Sequence, residues 1–296
     1  MKRLLIGFAL LASGVGFAQD AEDPVGRAPV RGGTPSRQTL RAPAQERAFS
    51  FAIFGDRTSG DAAGLEVLRA AVTTTNHLDP SFVMTVGDMI QGYTTAPKWV
   101  RQMREYKGIM GGLRMPWYPV AGNHDVYARP RRPGGHSALY TEHFGPLYYS
   151  FDYEWAHFVV LFSDESFAFK NPAKSQNMSA KQLDWLRTDL AASKATQVFV
   201  FQHHPRWTPR YAGSNWKDVH GVLAADGRVE AVFGGHVHVY RDDGVQDGIR
   251  YITLATTGGK SSKALRQSAA FDHLNLVVVR RERTAISVVP VGSVLG

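Results

Sequence analysis

The sequence predicts one α/β domain, on three observations. The chain has 296 residues, 44% hydrophobic and 20% charged, enough to bury one large core without a second domain. Short apolar runs alternate with amphipathic stretches, as strands joined by helices do. Several of those runs lead into Gly-Asp, Gly-Asn or Gly-His pairs, and open α/β sheets build their sites at the carboxyl ends of strands.

The apolar run Phe49, Phe51, Ile53, Phe54 reads as a first strand entering Gly55-Asp56. Asp61 is placed to cap a helix reaching about Asn76. Phe82 to Val86 is a strand, Pro97 to Met110 a helix opened by its proline, and Trp117 to Val120 the next strand. Residues 148–153 and 157–162 read as a hairpin. Ser179 with Gln182 has capping-box spacing before a helix carrying Leu183, Leu186 and Leu190. Strands recur at Val198 to Phe201 and Val229 to Phe233, then near 249–255, 273–280 and 284–290 with no long helix between them.

The amino terminus has a different character. Lys2 and Arg3 precede an apolar run from Leu4 to Leu11 that continues to Phe17 and Ala18, which reads as a secretory signal peptide over residues 1–18. It falls short of the roughly 20 apolar residues a permanent span needs. Residues 19–47 carry Pro24, Pro29, Pro35 and Pro43 with five arginines, too little apolar surface to fold, and read as a linker before a domain over 48–296. An exported protein, periplasmic or secreted and without a stable membrane span after cleavage, is the expectation. The absence of cysteine excludes a disulfide framework. The formal charge of +8 falls to +6 without Lys2 and Arg3, and no basic run is dense enough to suggest a nucleic-acid partner.

The strands lead into Asp56, Asp88, Asn123-His124-Asp125, His203-His204 and His236-Val237-His238. Carboxylate and amide oxygens together with neutral imidazoles are what hard or borderline divalent ions take. In extended backbone, residues two apart face the same way, so His236 with His238, and Asp56 with Thr58, are expected to share a pocket. A carboxylate such as Asp88 has two oxygens and can bridge two ions, and two ions clamp a phosphoryl group while lowering the pKa of a water.

In this order, Gly55-Asp56, Gly87-Asp88, Gly122-Asn123-His124-Asp125, His203 and Gly235-His236-Val237-His238 resemble the motifs of the calcineurin-like metallophosphoesterases. The resemblance covers roughly residues 48–296 and implies a four-layer αββα sandwich, two mixed β-sheets flanked by helices. It implies one metal held by Asp56, Asp88 and His238 and another by Asp88, Asn123, His203 and His236, the ions being Mn, Fe, Zn or Ni. His124 and Asp125 are the implied catalytic pair, the histidine protonating the leaving oxygen or stabilising the transition state and the aspartate orienting it or supporting its charge. Pro205 makes His203 the ligand and leaves His204 behind it or facing substrate.

Two positions depart from the pattern. Thr58 stands where the family has histidine and Gln91 where it has aspartate, so the first metal site is expected to be weak. Purple acid phosphatases replace that histidine with a tyrosine at the Gln91 position; Tyr93 lies two residues too far along to substitute simply, so that subclass is not predicted. Arg57 is a candidate for binding phosphate through its guanidinium. Arg57, His204, Thr58 and Gln91 are therefore the candidate substrate contacts. Trp207, Arg210, Tyr211 and Trp216 read either as a substrate rim or as ordinary packing. The expected function is an exported phosphoesterase that cleaves small phosphomonoesters or phosphodiesters by attack of a metal-bound hydroxide. Its rival is a degenerate phosphate- or metal-binding module without turnover.

Overall fold

The computed structural model describes residues 47–60, 62–165, 177–260 and 271–291. The expected signal peptide, the expected linker apart from Arg47, and the capping residue Asp61 lie outside the described residues. Among those described, the strands form a five-stranded sheet in the order β11-β10-β1-β2-β3 and a six-stranded sheet in the order β4-β5-β6-β7-β9-β8. The first is built from β1 (Ala48–Phe54), β2 (Phe82–Thr85), β3 (Trp117–Tyr118), β10 (His273–Arg280) and β11 (Arg283–Pro290). The second contains β4 (Tyr149–Tyr153), β5 (Ala156–Val160), β6 (Gln197–Phe201), β7 (Val229–Gly234), β8 (Arg241–Gln246) and β9 (Ile249–Thr253).

Strand periodicity sorts the apolar residues into layers. Phe51 and Ile53 of β1, Phe199 and Phe201 of β6 and Val277 of β10 share the core between the two sheets. Their neighbours Ala52 and Phe54 face the other way, onto a core with Leu68 of α1 (Ala63–Leu78) and Trp99 and Met103 of α2 (Ala96–Met110). Val198 and Val200 likewise turn outward to meet Leu183 and Leu186 of α5 (Ala180–Ala192) and Val219 and Leu223 of α6 (Trp216–Asp226). Both faces of each sheet are thus covered, which is why the parallel strands read as continuous apolar runs rather than alternating ones. The predicted αββα sandwich is the observed architecture.

Sequence periodicity missed two helices, α4 (Ser137–Phe144) and α6, together with β8, whose RDDGVQ sequence is exposed and pairs at the sheet edge. A short turn of helix, α3 (Asn123–Val126), opens at the third motif. Helix α1 begins at an Ala62 cap with no side-chain hydrogen bond. The capping box of α5 is half formed: Ser179 Oγ accepts from Gln182 N at 3.1 Å. The Gln182 amide instead reaches Phe162 O and Glu165 Oε2, at 3.1 and 2.6 Å.

His157 links three elements. Its Nδ1 and Nε2 face Asp152 of β4 at 2.6 Å and Asp189 of α5 at 2.9 Å. Burial lowers its pKa, but the two carboxylates outweigh that and raise it. Its charge therefore stabilises the fold fully below the unfolded value of about 6.5, and the stabilisation is lost as pH rises through the higher folded value. His157→Gln is expected to lower Tm more at pH 6 than at pH 9; equal deficits at both pH values would exclude this linkage.

Candidate metal centre

The parallel strands of both sheets end on one rim, and the turns after β1, β2, β3, β6 and β7 bring Asp56, Asp88, Asn123, His203 and His236 to it. His203 Nε2 lies 3.2 Å from Asp88 Oδ2, 3.0 Å from Asn123 Oδ1 and 3.2 Å from His236 Nδ1. His236 Nδ1 is 2.9 Å from Asn123 Oδ1. On the other side His238 Nε2 is 3.2 Å from Asp56 Oδ2 and 3.5 Å from Thr58 Oγ1, while Thr58 Oγ1 is 3.4 Å from Asp88 Oδ2. The six expected ligands and Thr58 therefore occupy one cluster.

Glycines make the close approach possible. A Cβ on Gly122 would sit 2.3 Å from Asp88 Oδ1, one on Gly235 2.2 Å from Asp56 Oδ1, and one on Gly87 2.8 Å from His203 Nδ1. His236 and His238 do converge, but not through extended backbone as expected: their φ values are 70° and 55°. Asp88 is also left-handed, at φ 54°. Non-glycine residues held there store about 1–3 kcal/mol each and concentrate at functional sites.

The lone pairs point inward. His203 Nδ1 is 2.8 Å from the Val86 carbonyl and His238 Nδ1 is 2.6 Å from the Lys260 carbonyl, so each Nδ1–H donates outward and each Nε2 faces the carboxylates. Acceptors facing acceptors in a buried pocket require a cation or a proton between them. The proton affinities reflect the same crowding of acceptors: burial lowers the His203 pKa, but Asp88 outweighs it and pushes it up to about 10. Burial likewise opposes, and Asp56 drives, a rise of His238 to about 9. Asp88 is held below the usual carboxylate range by the imidazoles around it, against the upward push of burial. His236, buried and beside His204 and His203, falls to about 2 and so offers a neutral nitrogen. The carboxylates Asp56 and Asp88 with His203 form one set able to hold an ion, and His203, His204 and His236 form another. This mixture of oxygen and nitrogen donors fits divalent cations.

His124 sits beside the cluster, its Nε2 3.9 Å from Asp88 Oδ2, and its Nδ1 is hydrogen-bonded to the Gln91 carbonyl. Asp125 does not orient it. The Asp125 carboxylate instead accepts from the backbone N–H groups of Asp88, Met89, Ile90 and Gly122 at 2.8–3.3 Å, so it shapes the loop that presents Asp88. Burial and the Asp88 charge push its pKa up against the pull of those donors.

Two expected substrate contacts, Gln91 and Arg57, are engaged within the fold. The Gln91 side chain accepts from Ser59 N at 2.8 Å and donates to Gly60 O at 2.7 Å, tying the first motif's turn to the second. Arg57 is buried and lines a small pocket together with Leu65, Gln102, Glu105 and Tyr106. Tyr211 and Trp216 are buried and pack with His204, Trp207 and Tyr251 rather than forming an open rim.

Residues the sequence reasoning missed also stand here. Asp164, four residues past β5, accepts from Tyr127 Oη at 2.9 Å and lies 3.0 Å from His204 Nδ1. Its signal was a fourth apolar strand running into an aspartate. Tyr93 reaches the site after all: Gly92 and Tyr93 both have positive φ, 58° and 44°, and the tyrosine Oη accepts from Asn123 Nδ2 at 3.0 Å. That bond fixes the amide so that Oδ1 faces the imidazoles.

The calcineurin-like phosphoesterase family model matches residues 49–240. Among curated proteins, the chain is 27% identical to purple acid phosphatase 22 of Arabidopsis thaliana, over 79% of this chain and 56% of that protein. It is 24% identical to human tartrate-resistant acid phosphatase type 5, over 60% of this chain and 62% of that one. The chain thus spans less than two thirds of the length of either. The first of these carries the name of the subclass that the position of Tyr93 argued against. Among solved structures, a dimetal phosphatase from Danio rerio superposes with a TM-score of 0.64 at 17% identity, covering 82% of this chain and 96% of that one. A purple acid phosphatase from yellow lupin superposes at 0.61 and 15% identity, covering 84% and 52%.

Proposed function

Because the chain belongs to the calcineurin-like phosphoesterase family, we propose that it hydrolyses small phosphate esters with divalent ions held by Asp56, Asp88, Asn123, His203, His236 and His238. The observation that carries this reading is the inward convergence of those donors, 2.9–3.2 Å apart around His203 Nε2 and His236 Nδ1. When bound, two such ions neutralise phosphoryl charge and lower the pKa of a water to supply the nucleophile. Asp88 presents one carboxylate to both donor sets. His124, anchored by the Gln91 carbonyl, turns its other nitrogen toward the cluster and is placed to protonate the leaving oxygen. Tyr93 holds the Asn123 amide in its ligating orientation.

The test is hydrolysis of aryl phosphate mono- and diesters by full-length protein stripped of metal and resupplied with Mn²⁺, Fe²⁺, Zn²⁺ or Ni²⁺, with bound metal measured in parallel. Turnover restored by metal is expected. Neither bound metal nor turnover under any condition would leave the binding-module reading. We infer further that residues 1–18 direct export and 19–47 are a linker; a mature amino terminus near residue 19 in protein recovered outside the cytoplasm is the expected observation.

Thr58 gives a third expectation. Its hydroxyl lies within 3.5 Å of both His238 Nε2 and Asp88 Oδ2, the position an imidazole nitrogen would otherwise fill. Wild-type protein is expected to retain fewer than two ions per chain after dialysis, and Thr58→His to raise that number along with turnover at low added metal. Two tightly held ions in the wild type would sink the weak-site argument.

A further inference from the structure

We propose that His204 is a third imidazole ligand of the ion held by His203 and His236, with Asp164 as its positioning residue, which makes this a nitrogen-rich site for a borderline cation such as Zn²⁺. The inference rests on the metal-centre reading above and adds to it a ligand outside the family motif.

Three observations carry it. His203, His204 and His236 each offer one ligand atom, and these lie within 4.8 Å of one another. The His204 ring is close to both partners, its centroid 4.0 Å from that of His236 at 39° and 4.9 Å from that of His203 at 84°. Its Nδ1 is taken by Asp164 Oδ2 at 3.0 Å and by Ser163 Oγ at 3.2 Å, so Nε2 is the nitrogen left for an ion. A carboxylate holding one nitrogen of an imidazole and leaving the other for an ion is the arrangement that orients metal-bound histidines and strengthens them as ligands.

Asp164 is itself fixed. It is 1% exposed, and the Tyr127 hydroxyl donates to its other oxygen at 2.9 Å. Packing alone would account for a buried ring at this position, but it does not require the aspartate at Nδ1.

The two donor sets then differ in kind. Asp56 and Asp88 with His203 are rich in oxygen, and Thr58 withholds an imidazole there. His203, His204 and His236 offer nitrogen alone before Asn123 and Asp88 are added. Oxygen-rich sets favour ions such as Mn²⁺ and imidazole-rich ones Zn²⁺, so the first equivalent of Zn²⁺ should enter the histidine set.

The decisive measurement is imidazole ¹⁵N NMR of metal-free, full-length wild type titrated with one equivalent of Zn²⁺, with resonances assigned by single His→Phe variants. Nitrogen shifts of three residues, His203, His204 and His236, are expected; shifts of His203 and His236 without His204 would overturn the inference. Chelator competition gives a second readout. His204→Phe keeps an aromatic ring against His236 and has no lone pair, so its Zn²⁺ affinity should fall at least about 10-fold, and Asp164→Asn should fall about 10- to 100-fold. Wild-type affinity in His204→Phe would also overturn the inference while leaving the metal-centre reading intact, provided His203→Phe loses Zn²⁺. Absence of Zn²⁺ binding by the wild type would overturn both.

Discussion

Asp88→Ala should remove both ions and lower kcat/KM by about 10³-fold or more. The Asp88 carboxylate is 1% exposed and faces His203 at 3.2 Å and Thr58 at 3.4 Å through Oδ2, while Oδ1 accepts from His124 N at 2.8 Å. Its removal takes a ligand from each donor set and frees the turn that carries His124. Loss of one well-placed electrostatic contact in a catalytic site costs about 10²–10³ in rate, and here several are lost together. Metal content by elemental analysis, read beside the rate, checks the argument. Two ions per chain in a folded Asp88→Ala variant would refute the bridging assignment.

His124→Ala should behave differently, retaining metal while kcat falls about 10²- to 10⁴-fold, the range for a positioned proton donor. Its Nε2 is 3.9 Å from Asp88, next to the ligands rather than among them. The loss should be large for an alkyl phosphate, whose leaving oxygen needs a proton, and small for a nitrophenyl ester, whose leaving group departs as the anion. Equal losses for both substrates would exclude the proton-donor role, and loss of metal would make His124 a ligand.

The sandwich was legible because each central strand is covered on both faces, so β1, β2, β6 and β7 appear as largely apolar runs, interrupted only by residues such as Ser50 and Glu230. Strand β8 was not, since an exposed edge strand with two aspartates, a glycine and a glutamine carries no alternation to detect. Helix α6 was missed behind Trp216 and Gly221 and the loop residues that precede it. For the site, residue types and their order located the ligands, but partners across the fold were invisible. Nothing in the Asn-His-Asp run reveals that Asp125 turns back to the N–H groups of Asp88, Met89 and Ile90 in the preceding loop, or that the Gln91 carbonyl holds His124. Tyr93 was discounted by counting residues along the chain, and two left-handed residues shortened that path in space.

Asp88, His236 and His238 adopt backbone angles that glycine would occupy without Cβ strain. At these three positions heat resistance and turnover are therefore expected to make opposite demands. Selection on heat resistance alone should drift toward glycine at these three positions, whereas selection on turnover should hold them against that drift. The two pressures pull apart at the strand ends that carry the ligands and agree in the three apolar layers beneath them.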